Sequence, residues 1–330
     1  MRVLVTGAAG FIGSCVAEML LELGHEVVGI DDLNSSYDVR MKHYRLARLK
    51  PVPGFTFSIV DIADKEALGR EWRARSPYDA VVNLAARAGV RQSMEDPWAY
   101  MRTNVTGTLN LLDLCRVDGV SKFVLASTSS LYGEQHSLPY AEDMNTDRPL
   151  SPYAASKKSA EVLCHAYHHL CGIDITVLRY FTVYGPAGRP DMSVFRFVQW
   201  VAEERPVHVF GDGTQSRDFT YVDDIALGTI AALRPLNYEV INLGGDHPAT
   251  LSRLIAQIED ALGKRAVLRF HPPHAADVQA TWASIGEARR LLDWEPRIGL
   301  EEGIARVVDW YLANRSWARE IVVGQPEPTA

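Results

Sequence analysis

A chain of 330 residues is long enough to bury a large core in one big or two modest domains. Its 47% hydrophobic and 23% charged residues are a globular composition, and a net charge of −7 argues against nucleic acid as a main partner, since phosphate binding needs a basic surface. No apolar run approaches the ~18 residues of a membrane span, and a strand candidate starting at Arg2 leaves no room for a secretory leader, so a cytoplasmic protein with no membrane partner is expected.

The first short β-branched run is "VLVTG", and "VTGAAGFIGS" then sets Gly7, Gly10 and Gly13 between strand and helix. Backbone in such a loop turns sharply and approaches a pyrophosphate with no Cβ in the way, while the helix N-terminus offers N–H donors. The spacing is GxxGxxG rather than GxGxxG, yet strand before and helix after are the context a dinucleotide site requires. "SCVAEMLLEL" reads as the helix and "EVVGID" as the second strand, which ends at Asp31, eighteen residues beyond Gly13. An acid there accepts hydrogen bonds from an adenosine ribose and repels a 2′-phosphate, favouring NAD over NADP. The helix Tyr37 to Leu49 comes next, and its basic run from Arg40 to Lys50 has the spacing of a solvated face.

The alternation continues through "FTFSIVD", helix Lys65 to Arg75, "DAVVNLA", helix Ala99 to Val117, "KFVLAST", a helix opened by Pro152, and "ITVLRYF". Strand and helix in strict succession predict an α/β fold with a doubly wound parallel sheet. After Phe181, "GPAGRP" and "FGDGTQSRD" supply turns and loops, before a helix at "YVDDIALGTIAAL" and a strand at "EVINLGG" return the chain to the sheet. Residues 1–180 and 218–246 are therefore expected to form the nucleotide-binding domain. Residues 181–217 and 247–330 form a smaller lobe, with a disordered Pro-rich tail after about residue 318. Cys15, Cys115, Cys164 and Cys171 lack CxxC spacing and read as reduced thiols; "CHAYHHLC" spreads its side chains around one helix, so no metal site is expected.

Within "SPYAASKKSAE", Tyr153 and Lys157 stand one helical turn apart on one face. A phenol with pKa about 10 is a poor base at neutral pH, and a lysine ammonium beside it favours the phenolate, so the pair predicts a phenol lowered toward the working range.

Together GxxGxxG, "NLAA" after the fourth strand, "STSS" after the fifth, and Tyr-x-x-x-Lys twenty-six residues beyond Ser127 resemble the extended short-chain dehydrogenase/reductases, specifically their nucleotide-sugar epimerases and dehydratases. The resemblance runs from Met1 to about Phe270. It implies a Rossmann-type fold, Tyr153, Lys157 and Thr128 as the catalytic group, and a homodimer formed through a four-helix bundle of Ala99 to Val117 and Pro152 to Cys171. It also implies an NAD site lined by Gly7, Gly10, Phe11, Ile12, Gly13, Asp31, Asp61, Ile62, Leu84, Ala85, Ala86, Asn104, Ser127, Tyr153, Lys157 and Tyr180.

Relatives divide by the residues after the fifth strand. Dehydratases resemble "TDE" and uronate decarboxylases "TSE", whereas here the residues are Thr128, Ser129 and Ser130, so 4-epimerisation through a 4-keto sugar is the chemistry that remains. "RYFTVYGPAGRPDM", residues 179–192, with "AARAGVRQS" from Ala85, resembles the UDP-glucuronate 4-epimerases of that family. Arg189 is then the expected partner of a sugar carboxylate, with Thr182, Ser129 and Ser130 helping. Arg217 in "QSRDFTYVDD" and Asp277 in "HPPHAADVQAT" carry over as nucleotide contacts, although Ala275 and Ala276 replace the usual Pro-Gly and His274 stands where some relatives have arginine. Arg87 and Arg91 are weaker anion candidates. The alternatives are a 4-epimerase of UDP-glucose or UDP-N-acetylglucosamine, a UDP-glucuronate decarboxylase, and a non-catalytic NAD-binding protein.

Overall fold

The computed structural model describes residues 1–134, 137–273 and 278–323. Its first half alternates as β1 (Arg2–Thr6), α1 (Phe11–Glu22), β2 (Glu26–Asp31), α2 (Arg40–Leu49), β3 (Phe55–Ile59), α3 (Lys65–Arg75) and β4 (Ala80–Asn83). Two short turns of helix, α4 (Gln92–Glu95) and α5 (Pro97–Tyr100), lead through a π-helical stretch, Met101–Gly107, into α6 (Thr108–Asp118). Next come β5 (Lys122–Thr128), α7 (Pro152–Cys171), β6 (Asp174–Tyr180), β7 (Thr182–Tyr184), α8 (Ser193–Ala202), β8 (Val207–Phe210), β9 (Ser216–Arg217) and β10 (Phe219–Tyr221). The chain ends through α9 (Val222–Ala231), β11 (Tyr238–Leu243), β12 (Ala249–Thr250), α10 (Leu251–Leu262), β13 (Leu268–His271), α11 (Leu300–Ala313) and α12 (Arg315–Ala318).

Seven parallel strands make the main sheet in the order β11-β6-β5-β4-β1-β2-β3. The order reverses between β1 and β4, which opens a crevice beyond their carboxyl ends, where doubly wound sheets bind ligands. Both faces are covered, so the strands read as nearly continuous apolar runs. Val3, Val5 and Val82 pack with Val16 and Leu20 of α1 and Ile225 of α9. Leu4, Val81 and Phe123 meet Trp72 of α3, Leu111 of α6 and Cys164 of α7 on the other face. Neighbouring residues of one strand thus serve opposite cores.

A third cluster joins α8, α10 and α11 around Phe197, Leu254, Ile258 and Val308, and Phe11 belongs to it. α8 lies where the sequence suggests only turns and loops, its almost wholly buried face coming directly after the Gly/Pro loop. The tail also differs from expectation. Ile321 and Val323 are buried, and Gln199 Nε2 donates to the carbonyls of Ala318 at 3.0 Å and Ile321 at 2.9 Å, so order continues to residue 323 and the remainder lies outside the described residues. Ala283, Ile285, Ala288, Leu292 and Trp294, expected in the smaller lobe, instead pack in the cluster of the α1 and α9 face. The Trp294 indole donates to the Asp224 carbonyl at 2.8 Å, which pins this return segment to α9. No helix among the described residues is long and apolar enough to cross a membrane.

Candidate active site

A cleft of about 540 Å³ runs from the glycine loop to β9, a size suited to small ligands. Its first wall is the β1–α1 turn. Gly7 has φ +69°, and a Cβ added at Gly13 would stand 2.1 Å from the Gly7 carbonyl oxygen, so the turn closes only without side chains. At the end of β2, Asp31 is buried, and Oδ1 accepts from Leu33 N at 2.8 Å and Lys42 Nζ at 3.0 Å. Both contacts fall on one oxygen, which leaves Oδ2 as an acceptor.

The centre comes from β5 and α7. Ser151 caps α7 by accepting from Ala154 N at 3.2 Å, Pro152 occupies the first turn, and Gly172 ends the helix with φ +68°. The buried stripe of that helix holds Tyr153, Lys157, Glu161 and Cys164. Lys157 Nζ donates to the Ala126 carbonyl at 2.8 Å, and burial draws its pKa down to about 8 despite Glu161 one turn on. Tyr153 departs from expectation. Burial raises its pKa, against the lowering pull of the Thr128 hydroxyl and, more weakly, of Arg189, so in this cleft the phenol is the favoured form. Desolvation outweighs nearby charge, and the lysine ammonium is aimed at a backbone carbonyl.

Arg189 enters from the loop after β7. Its Nε and Nη2 grip Asp191 at 3.1 and 2.5 Å, and Nη2 also donates to the Ala88 carbonyl at 3.0 Å. Ser127 donates to Glu161 Oε1 at 2.5 Å, and Ser130 N donates to the Thr128 hydroxyl at 3.1 Å.

The cleft gathers Gly7, Gly10, Phe11, Ile12, Gly13, Asp31, Asp61, Ile62, Leu84, Ala85, Ala86, Ser127, Thr128, Ser129, Ser130, Tyr153, Lys157, Tyr180, Thr182, Arg189 and Arg217, together with Arg91. Two candidates stand apart from it. Asn104, 1% exposed, accepts from Arg87 N at 2.8 Å while its amide donates to the Arg87 carbonyl at 3.0 Å and to Ser156 Oγ at 2.8 Å. Its polar atoms are spent clamping the strand-four loop to α7, and Arg87 is the residue clamped; neither lines the cleft. Asp277, with His274, Ala275 and Ala276, lies outside the described residues.

Residues 3–244 match the model of the NAD dependent epimerase/dehydratase family. The chain belongs to that family. It is 55% identical over 321 residues to the UDP-glucuronate 4-epimerase of Thermodesulfobacterium geofontis, across 97% of this chain and 99% of that one. Among solved structures, UDP-glucuronic acid 4-epimerase from Bacillus cereus in complex with UDP-glucuronic acid and NAD superposes with a TM-score of 0.89 at 40% identity, covering 95% of this chain and 100% of that chain. UDP-glucose 4-epimerase from Thermotoga maritima, with UDP-glucose, gives 0.88 at 33% identity over 96% and 100%.

The family is NAD-dependent, and the residues present fit that group. The glycine loop keeps the α1 N-terminus uncovered, and Asp31 offers an acceptor at the end of β2 where a ribose would lie. This member of the epimerase/dehydratase family also shows residues that the sequence does not single out. Tyr37, Lys42 and Asp191 line the cleft, and Arg45 is buried behind it. A signal for the α2 pair exists: Lys42 and Arg45 share a stripe with Met41, Leu46 and Leu49, so charge sits on the apolar face.

Proposed function

We propose that the chain catalyses the NAD-dependent 4-epimerisation of UDP-glucuronate to UDP-galacturonate, with Tyr153 as the proton-transferring group. The observation that carries this reading is the meeting of Tyr153, Thr128 and Arg189 in one cleft with the glycine loop, in a chain whose β5 is followed by two serines and no carboxylate. Bound NAD supplies the two-electron oxidant at C4 and, when oxidised, a positive charge beside the phenol. Tyr153 takes the C4 hydroxyl proton as the C4 hydride leaves and, once the 4-keto sugar has turned over, gives that proton back to the C4 oxygen as hydride returns to the other face of the carbon, while the Thr128 hydroxyl holds the reacting oxygen. Lys157 anchors the Ala126 carbonyl and keeps an ammonium one turn from the phenol. Asp31 receives the adenosine ribose, and the β1–α1 turn receives the pyrophosphate.

Arg189 receives the sugar carboxylate, aided by Ser129, Ser130 and Thr182, and Arg217 and Asp277 serve the uridine diphosphate. An arriving carboxylate competes with Asp191 for the same fork, so one carboxylate replaces another and the gain is mainly one of selectivity. A clamped carboxylate, with no proton donor of its own after β5, also protects the 4-keto acid from losing carbon dioxide. The occupied fork is the one feature that favours the alternative, a 4-epimerase of neutral UDP-sugars. In functional terms residues 1–180 and 218–246 hold the cofactor, and 181–217 and 247–330, apart from the return segment that packs on α9, the sugar nucleotide. All four cysteines are unpaired thiols, which suits a reducing cytoplasm. The exposed apolar residues Leu109 and Val117 of α6 and Val162 and Leu170 of α7 suit a homodimer built on those helices.

Incubation with UDP-glucuronate and then proton NMR of the sugar tests the reading: UDP-galacturonate should accumulate to equilibrium. Tyr153→Phe should keep NAD yet lose about a thousandfold or more in kcat. Turnover by that variant within about tenfold of wild type removes Tyr153 from the chemistry.

A further inference from the structure

The helix face that reads as solvated carries a guanidinium in one of the most enclosed places beside the cleft. Arg45 is 3% exposed, and its hydrogen bonds go to neutral oxygens. Nε and Nη2 donate to the Ala187 carbonyl at 3.0 and 2.7 Å, and Nη2 also reaches the Gly188 carbonyl at 3.1 Å. Nη1 donates to the Ala9 carbonyl at 3.3 Å and to the Tyr37 hydroxyl at 2.8 Å. One side chain therefore joins the glycine loop to the loop that bears Arg189. A buried cation held by neutral dipoles and by the rings of Phe11 and Tyr37, 5.8 and 5.6 Å away, is costly to maintain, and hydrophobic packing would fill the space more readily.

A second observation explains what that cation secures. Ala187 is buried and has φ +53°, a left-handed conformation that a residue with a Cβ adopts at a cost. Its carbonyl is the one that accepts twice from Arg45. Arg189 comes two residues later, so the direction of that peptide decides where the Arg189 side chain enters the cleft.

We propose that Arg45 is a positioning residue: it holds Ala187 in the left-handed conformation, aims Arg189 at the substrate, and ties the sugar-binding loop to the Ala9 carbonyl of the cofactor-binding turn. The inference rests on Arg189 being the partner of the sugar carboxylate. It adds that the two loops move as one body, so the clamp is set by a residue that touches neither substrate nor cofactor. Tyr37 completes the link, since its hydroxyl accepts from Arg45 while its ring lies 5.8 Å from the Arg189 guanidinium.

The test uses the NAD-loaded full chain, with KM and kcat measured on UDP-glucuronate and the affinity for UDP-glucose measured by calorimetry. Arg45→Gln should raise the KM for UDP-glucuronate about fivefold or more, with a smaller change in kcat and UDP-glucose affinity within about twofold of wild type. Adding Ala187→Gly should restore at least about half of the lost preference, because glycine takes a positive φ unaided. A variant whose fault was general damage to the fold would gain nothing from that second change. Arg189→Ala is measured alongside. If it abolishes the preference for the acid while Arg45→Gln leaves it intact, the positioning role is overturned and the carboxylate reading stands. If Arg189→Ala leaves the preference unchanged, the carboxylate reading itself fails. Should Arg45→Gln not fold, Arg45→Lys keeps the charge without the fork and is expected to show the same KM shift and the same rescue; a KM within about twofold of wild type for that variant overturns the proposal.

Discussion

Tyr153 and Lys157 show how burial and charge divide the work of tuning. Sequence alone puts a phenol and an ammonium one turn apart and suggests that the second activates the first. In the folded chain burial acts on both, raising the phenol and drawing the lysine down to about 8. Because that lysine value is depressed, its charge is complete well below pH 8 and is lost as pH rises through it. Activity should therefore fall on the alkaline side, in a pH profile of kcat/KM. Glu161 supports the charged form from one turn away, so Glu161→Gln should move that alkaline limb to lower pH by about half a unit or more. An unmoved limb in a folded variant would separate Lys157 from the titration. Stability runs the other way: between about 8 and the ordinary lysine range the unfolded chain holds a proton that the folded chain has released, so this group favours folding more as pH rises.

At the scale of elements, those with caps and regular periods were legible. α3 and α7 begin and end where their patterns predict, with Asp64 and Ser151 as side-chain N-caps. The β1–α1 turn was legible for a stronger reason, since its geometry leaves room for hydrogen alone. Gly13→Ala should reduce NAD affinity about tenfold or more, as read by NAD content after gel filtration, because the new Cβ would meet the Gly7 carbonyl. NAD content equal to wild type would show that the turn can open. α8 escaped notice because Gly/Pro turns directly precede it, although its apolar residues, broken at Arg196 and Gln199, keep a helical spacing. α2 is legible as a helix but not as to its buried face, since propensity and charge say nothing of what lies opposite.

For the whole molecule, the sheet order creates one crevice, and the later segments return to close it. The loop after β7 brings Arg189, and β9 brings Arg217, to a site whose first wall is the glycine turn from Gly7 to Gly13. Outside the cleft lining, α6 and α7 carry Leu109, Val162 and Leu170 exposed. A homodimer on that face predicts a sedimenting mass of twice the chain, and Val162→Asp with Leu170→Asp should shift it to the monomer in analytical ultracentrifugation. Wild-type protein that sediments as a monomer at micromolar concentration would refute the bundle.

The sequence by itself determined the alternating βα order, the glycine turn, the acid at the end of β2 and the Tyr153–Lys157 pair. Each depends on contacts between near neighbours in the chain, where backbone sterics and helical period suffice. Tertiary structure alone decided that Asn104 clamps the Arg87 backbone beside α7 and that Arg45 is buried between two loops. Those outcomes turn on which oxygen faces which donor across a long sequence separation, and on how much water is excluded between them, quantities that no local pattern encodes.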